Sequence, residues 1–314
     1  MIGYLFDFGG KSYEMPPILE WDIRHTLGDA CDSFDIVLVY RSDMLEILRS
    51  AVRFRAVHDG ETVFFGVVDE FEIRSDIRGL VVSVRGRGLA ALLMDNEAEA
   101  AQYFSASAQF ILERHVYPFG ITEVRTMGLP SAAVFVVEFG ESQWSVLENF
   151  AWFIGGVRPR FSREGVLILQ KEEGKKFVID RGTGVSSEVY REVRYGVISS
   201  AMVKIKAWGI GHTVENHDFI ARGGNSRRVI NVPRNTSYDA MRHTGEYQIN
   251  RSQENSIVSE ITLTDMFAAF PGDVVHLEGS SAGTGVTGEF IVKESRCRAG
   301  ADSAGTMLTL VKKQ

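Results

Sequence analysis

The sequence predicts a β-rich α+β protein: two small antiparallel β-barrel domains related by pseudo-symmetry, with an intervening α/β segment. Three observations predict it. Short apolar runs separated by Gly, Asp and Ser turns fill the first part of the chain. Helical periodicity is concentrated in the middle, and strand patterns return from about Glu188 onward. With 314 residues the chain is long enough for several cores. The expected divisions are a first tube-like barrel at 1–97, a mixed domain of two helix-strand modules at 98–178, and a second barrel at 179–314.

In the first block, Leu19 to Arg24 and Phe34 to Tyr40 are apolar-rich runs either side of a polar turn at Gly28 to Ser33. A short helix is expected over Ser42 to Leu48, with Asp43 adding negative charge to its first turn. Val52 to His58 and Thr62 to Ile73 flank Asp59-Gly60, a dipeptide suited to a tight hairpin because Gly tolerates positive φ. A turn at Ser75 to Gly79 then leads into Leu80 to Arg85. Strands joined this tightly are expected to form an antiparallel meander closing into a small barrel.

After Gly88 the texture changes. Leu89 to Met94 reads as a short helix, and Ser107 to Val116 as a longer one with Phe110, Ile111 and Leu112 facing a core. Ala132 to Phe139 is strand-like. Ser142 to Ile154 is the clearest helix: Ser142 is the N-cap, Trp144, Leu147, Phe150, Ala151 and Ile154 form one stripe, and Gly155-Gly156 ends it. A hairpin follows, Arg158 to Phe161 with Val166 to Leu169. In the last block, strands are expected at Tyr195 to Lys206, Ser256 to Thr264, Asp273 to Glu278, Gly288 to Lys293 and Thr306 to Val311. Residues 210–250 are polar and read as a long insertion or loop arm that packs against a partner or is partly mobile.

The bulk chemistry excludes several roles. A formal charge of −7 opposes avid binding to nucleic acid or an anionic membrane surface. The N-terminus lacks the pattern of a signal peptide, and no apolar run approaches the ~20 residues of a membrane helix. Two cysteines, Cys31 and Cys297, make no disulfide framework, and synthesis in a reducing cytoplasm is expected.

Motifs that invite an enzymatic reading sit in the wrong context. Gly86-Arg-Gly88-Leu-Ala-Ala91 matches a loose dinucleotide fingerprint, but the helix is barely two turns and the expected acidic position falls near Ala108. These glycines are better read as permitting a sharp exit from the barrel. Gly279-Ser-Ser281-Ala-Gly283 matches the nucleophile-elbow pattern, but a strand rather than a helix follows, so a hairpin tip is expected.

The histidines are His25, His58, His115, His212, His217, His243 and His276. His212 and His217 have no cysteine nearby for a zinc site, and His115 is expected near a helix C-terminus, where the dipole favours a partly charged ring. Asp69-Glu70 and Glu172-Glu173, at turns or strand ends, show no glycosidase signature. Arg53 and Arg55, Arg85 and Arg87, and Arg158 and Arg160 each share a strand face. They are either an ordinary solvent face or the source of inter-subunit salt bridges. No catalytic, cofactor-binding or metal residue is assigned, and an enzyme is not expected.

The order of features resembles a known family. Val67 to Ile73, a turn, then Leu80 to Asn96 resembles the baseplate or tail hub proteins of contractile phages, Mu-like phages, phage-tail-like particles and defective prophages. In them a strand closing the first barrel runs through a Gly turn into a short helix ending near an Asp. Gly86-Arg87-Gly88 and Leu92-Leu93-Met94-Asp95 carry that likeness here. Ala108 to Gly120 and Gln143 to Leu169 are similar to the family's helix-strand modules. Pro271 to Val275 and Thr306 to Leu310 are similar to features of its second barrel. The polar arm has no identified counterpart.

The resemblance implies a homotrimer whose six barrels form a ring joining a six-fold tail tube to a three-fold spike. Its partners would be the tail tube protein, the central spike protein and other baseplate proteins. It implies no cofactor, no membrane insertion and no specific nucleic-acid binding, and a place in the virion or tail-like particle after synthesis in the bacterial host cytoplasm. The alternatives are a tail-associated cell-wall hydrolase, a carbohydrate-binding β module (although Trp21, Trp144, Trp152 and Trp208 are scattered), and the base of a type VI secretion spike, which usually continues into a β-helix needle.

Overall fold

The computed structural model describes residues 1–313 except 28–30, 78, 171, 206–210, 233–237, 255, 279–283 and 302. The chain is β-rich, with 49% of residues in strands and 20% in helices. The elements begin with β1 (Ile2–Asp7), β2 (Ser12–Glu14), β3 (Ile18–Thr26), β4 (Ser33–Val39), α1 (Leu45–Ser50), β5 (Ala51–His58), β6 (Glu61–Asp76), β7 (Gly79–Gly88) and α2 (Ala91–Met94). Next come β8 (Ala101–Ala106), α3 (Ala108–His115), β9 (Val124–Thr126), β10 (Ala132–Val137), α4 (Gln143–Gly155), β11 (Arg160–Phe161) and β12 (Leu167–Leu169). The remainder is β13 (Lys176–Ile179), β14 (Val185–Glu192), β15 (Ser200–Ile205), β16 (Gly211–Glu215), α5 (His217–Ala221), β17 (Arg227–Val232), α6 (Tyr238–Gln253), β18 (Ile257–Leu263), β19 (Val274–Leu277), β20 (Gly288–Ala299) and β21 (Ala304–Lys312). Two compact units divide the chain. The first holds 1–177, 262–273 and 292–308; the second holds 178–261, 274–291 and 309–314.

In the first unit the strands run in the order β20-β3-β4-β7-β6-β5-β1-β2. The expected β5–β6 hairpin forms on Asp59 and Gly60, both at positive φ (50° and 82°). The simple meander does not. β4 pairs with β7 instead of β5, so β4 to β7 form a Greek key. The cause is the β4–β5 connection, which is no tight turn: it carries α1, whose Leu48 is buried in the sheet's core with Met44 just before it. Among the described residues no sheet closes on itself, so the closed barrels expected from sequence are not formed.

Three phenylalanines fix this core. Phe34 stacks on Phe54 at 4.3 Å and tilts against Phe64 at 5.2 Å. Phe34 lies opposite Gly86 and Phe54 opposite Gly66 in the neighbouring strands, so each ring occupies the space over a glycine. A Cβ at Gly86 would collide with the Val67 carbonyl oxygen and the Phe34 ring, and one at Gly66 with the Arg87 carbonyl oxygen. Close packing, not phosphate binding, accounts for this glycine.

The middle of the first unit follows its helix signals. Ser107 caps α3 by accepting from Phe110 N, and Ser142 caps α4 by accepting from Ser145 N, both at 3.1 Å. Gly156, at φ 56°, ends α4 by donating to the Trp152 carbonyl at 2.9 Å. Ile111, Leu112, Leu147, Phe150 and Ala151 are buried together, while Phe110 is on the exposed side. β8 pairs with β10, and β12 pairs parallel to β9 and antiparallel to β11.

In the second unit the stretch read as a loop arm is an ordered α/β layer. β16 pairs antiparallel and β17 parallel with the central β15, and α6 covers them. Asn216 caps the short α5 between β16 and β17. α6 is mostly polar and buries Met241 and Ile249, while Gly245 between them packs against Val214 and Val203. So few apolar contacts suffice because the glycine lets the helix approach the sheet closely. Elsewhere in this unit β14 pairs with β18, and β19 bridges β13 and β20.

Candidate functional site

The arginines singled out from sequence find partners within the chain. Arg85 and Arg87 project from one face of β7. A β-bulge between Val68 and Glu70 on β6 lets two consecutive acids, Asp69 and Glu70, reach that face together. Arg87 pairs with Asp69 and Asp95, both at 2.7 Å, and Arg85 with Asp35 at 2.8 Å and Glu70 at 3.1 Å. The hydrogen bonds to Asp69 and Asp95 hold the Arg87 guanidinium well above its ordinary pKa. The same ladder continues to β3 and β20, where Arg296 pairs with Asp22 at 2.6 Å and Arg24 with Glu294 at 2.7 Å. These pairs lie within one chain. Asp69-Glu70 therefore lies inside a strand, at a bulge, and not at a strand end.

The other arginines are used differently. Arg55 lies over the Tyr4 and Phe6 rings at 5.1 and 5.2 Å, and Arg158 over Trp152 at 5.6 Å. Arg53 is half-buried, and that burial lowers its pKa. Arg160 shares Glu172 with Arg125.

The histidines do not converge. Among the described residues no group of three His, Cys, Asp or Glu side chains is placed to hold a metal ion. His212 contacts the Tyr238 hydroxyl at 2.8 Å, while His217 is exposed with Glu215 at 3.8 Å. His25 is buried. Its Nε2 donates to the Val63 carbonyl at 2.9 Å, and its Nδ1 lies 3.2 Å from Asp32. His115 departs from the expectation of a partly charged ring: burial pushes its pKa down, and Gln143 takes its Nδ1 hydrogen at 2.7 Å. The Ser281 motif lies outside the described residues. Among those described, no helix is long and apolar enough to cross a membrane.

Both cysteines are free thiols against methionine sulfur: Cys31 beside Met94 and buried Cys297 beside Met266. Burial pushes the Cys31 pKa from 9.0 up to about 12, with Asp32, Asp95 and Asp69 adding to the rise and Arg87 opposing it. At neutral to mildly alkaline pH this lowers the thiolate fraction about a thousand-fold. At pH 8 the native chain should react with iodoacetamide on the order of a thousand times more slowly at Cys31 than the urea-unfolded chain. Equal rates, read by mass spectrometry, would contradict this environment.

Apolar side chains are left uncovered on particular strands. On the outer face of the β8–β10 pair, Phe104 lies directly opposite Val134, with Val136 two residues along, and all three are exposed. In the second unit Val189 and Tyr190 are exposed on β14, and Val193 and Tyr195 just beyond it.

No family model and no curated protein sequence matches the chain. Solved structures do. The 43 kDa tail protein of prophage MuSo2 from Shewanella oneidensis superposes with a TM-score of 0.81 at 20% identity, covering 99% of this chain and 98% of that one. The chain has a prophage tail-protein fold. The tail protein from Neisseria meningitidis shares it at TM-score 0.77 and 17% identity, over 99% of this chain and 96% of that one. An E. coli component of the type VI secretion system, described as similar to T4 bacteriophage tail proteins, matches at TM-score 0.57 and 13% identity, over 95% of this chain and 74% of that one.

Proposed function

We propose that this chain is a structural subunit of a phage or phage-tail-like baseplate, and specifically its hub. In this reading three copies form a ring that joins a six-fold tail tube to a three-fold spike. The observation that carries it is the shared fold with the Shewanella tail protein over 99% of this chain and 98% of that one. Open sheets and uncovered apolar strands support it, because a subunit that works by assembly leaves edges for its neighbours. The strands of 1–97 and 179–314 serve as two pseudo-equivalent barrel blocks completed in the ring, and 98–178 faces neighbouring baseplate proteins. Three copies would close by heterologous contacts. The charge of −7 and the neutralised arginines of the β7 face suit a structural part that does not grip DNA. The role is not enzymatic.

Light scattering and negative-stain imaging of the purified chain, alone and mixed with tube and spike proteins, test the reading. The expected result is three times the chain mass and a ring with a central hole. A monomer under every one of these conditions overturns it. The type VI secretion likeness supports a second reading, the base of a secretion spike. That reading predicts assembly with a secretion-system tube protein in preference to a phage tail tube.

A further inference from the structure

We propose that copies of this chain meet through two faces of the first unit. An arginine and aromatic face on β1, β5 and β6 of one copy receives the apolar and acidic outer stripe of the β8–β10 pair of the next. The inference rests on the reading that copies assemble, and it names their contact. It gives one strand pair of 98–178 to the next copy and leaves the rest of that segment for other baseplate proteins.

The receiving face carries arginines without carboxylates. Tyr4 and Phe6 on β1 and Arg53 and Arg55 on β5 alternate with the buried Leu5 and Phe54, so they share the side away from the core. Tyr4 and Phe65 lie opposite Arg55 in the two neighbouring strands, and Phe6 lies opposite Arg53. Arg24, Arg85, Arg87 and Arg296 all pair with acids of their own chain. Among the described residues Arg53 and Arg55 make no ion pair. Arg53 donates to the carbonyl of adjoining Val52 at 3.2 Å, and the Arg55 Nε is buried without an acceptor beneath the Tyr4 and Phe6 rings. The nearby acids are engaged elsewhere. Arg87 takes Asp69 and Asp95, and Arg163 takes Glu61 and Glu164. Asp7 accepts from the Lys11 N–H and the Tyr13 hydroxyl, and Glu14 stands on β2, beyond Tyr4. What is unmet is local: two half-buried guanidinium groups without an acid, on a face whose other charges, Asp7, Lys11 and Glu14, belong to the β1–β2 hairpin. Half-buried donors of this kind gain more from an incoming carboxylate than fully solvated ones do.

The β8–β10 pair carries the complement. From 97 to 148 the chain has seven glutamates against two arginines, with no lysine or aspartate. Val134 and Val136 point outward from β10, with Phe104 opposite Val134, and Glu138 follows at the same alternation. Glu138 is exposed and has no ion pair among the described residues, and its main-chain N–H is held by the Glu141 carboxylate at 3.0 Å. Glu99 precedes β8 at the same end, where Ala101 pairs with Val137. The stripe thus runs from apolar to acidic, matching a face that runs aromatic with arginine. Because the two faces are different patches, every copy offers one of each, and the contact is heterologous.

Sedimentation velocity of the full chain in low salt, alone and with tube and spike proteins, tests this. Wherever wild type assembles, Arg55→Glu and Glu138→Arg should each weaken assembly at least ~10-fold by setting like charges face to face, and the variant carrying both should recover it. Melting temperatures of the single variants check their folding, and Glu138→Arg, at an exposed strand end, keeps the test open should Arg55→Glu melt early. Wild-type assembly in either single variant that melts as wild type does, or a double variant no better than the singles, overturns the proposal. A ring of three that survives both reversals removes this contact and keeps the hub. Assembly that obeys the reversals but stops at two copies, or runs on past three, keeps the contact and removes the hub. A wild type that stays monomeric in every mixture overturns both.

Discussion

Replacing Gly86 by alanine should lower the stability of the first unit by about 3 kcal/mol, with a melting temperature down by on the order of 10 °C. Gly86 does not have positive φ, so the demand is for space. The added Cβ would meet the Val67 carbonyl oxygen on β6 and the ring of Phe34, which lies directly across from it on β4. The first obstacle is main chain in a paired strand, so relief requires β6 to move. The second is a ring already stacked on Phe54 and packed on Phe64 in a fully buried cluster. Gly88→Ala gives the contrast. Its nearest obstacle is the Asp32 Cβ at 3.1 Å, a tight contact that a few tenths of an ångström relieve, and its cost should stay below about 1 kcal/mol. Thermal unfolding of both variants decides it: a Gly86→Ala protein melting within a degree of wild type would remove the packing account.

That pair of glycines shows what could and could not be read from the sequence. The residues that carry local rules were legible. Asp59-Gly60 turned a hairpin, Ser107 and Ser142 capped their helices, and Arg85 and Arg87 shared a strand face. What failed was long-range. Nothing near β4 announces that its partner is β7, because the choice depends on where α1 carries the chain. The pairing of β20 with β3, Cys297 opposite Ile23, joins residues 274 apart. The layer at 210–250 looked structureless because α6 offers Met241 and Ile249, two turns apart with a glycine between, instead of a continuous apolar stripe. The bulge at Asp69, which brings two acids to one pair of arginines, has no signature beyond the acids themselves.

Replacing His115 by leucine should cost about 2 kcal/mol at pH 8, and replacing it by glutamine should flatten the stability-pH profile below neutrality. The Gln143 side chain fixes the tautomer. Its Nε2 donates to the Glu97 carbonyl at 3.0 Å, which only accepts, so its Oε1 faces His115 and receives the Nδ1 hydrogen at 2.7 Å. Nε2 of the ring then accepts from the Tyr103 hydroxyl at 3.1 Å, and that hydroxyl in turn accepts from Arg114 at 2.9 Å. Leucine would leave the Gln143 oxygen and the hydroxyl without their partner in the core between α3 and α4. Burial, chiefly, lowers the folded pKa of His115 below its ordinary 6.5, with Arg114 adding to the effect and the Gln143 bond opposing it. The sign follows from proton counting. As pH falls through 6.5 the unfolded chain takes up a proton at this residue before the folded chain does. The stabilisation is therefore present above 6.5 and is lost as pH falls through the depressed folded value. The difference between the melting temperatures of wild type and His115→Gln isolates this ring. That difference should hold level from pH 8 to about 6.5 and shrink as the pH falls further towards 5. Parallel profiles over that range would mean the ring is not held neutral, and the buried Tyr103–His115–Gln143 chain would need another proton arrangement.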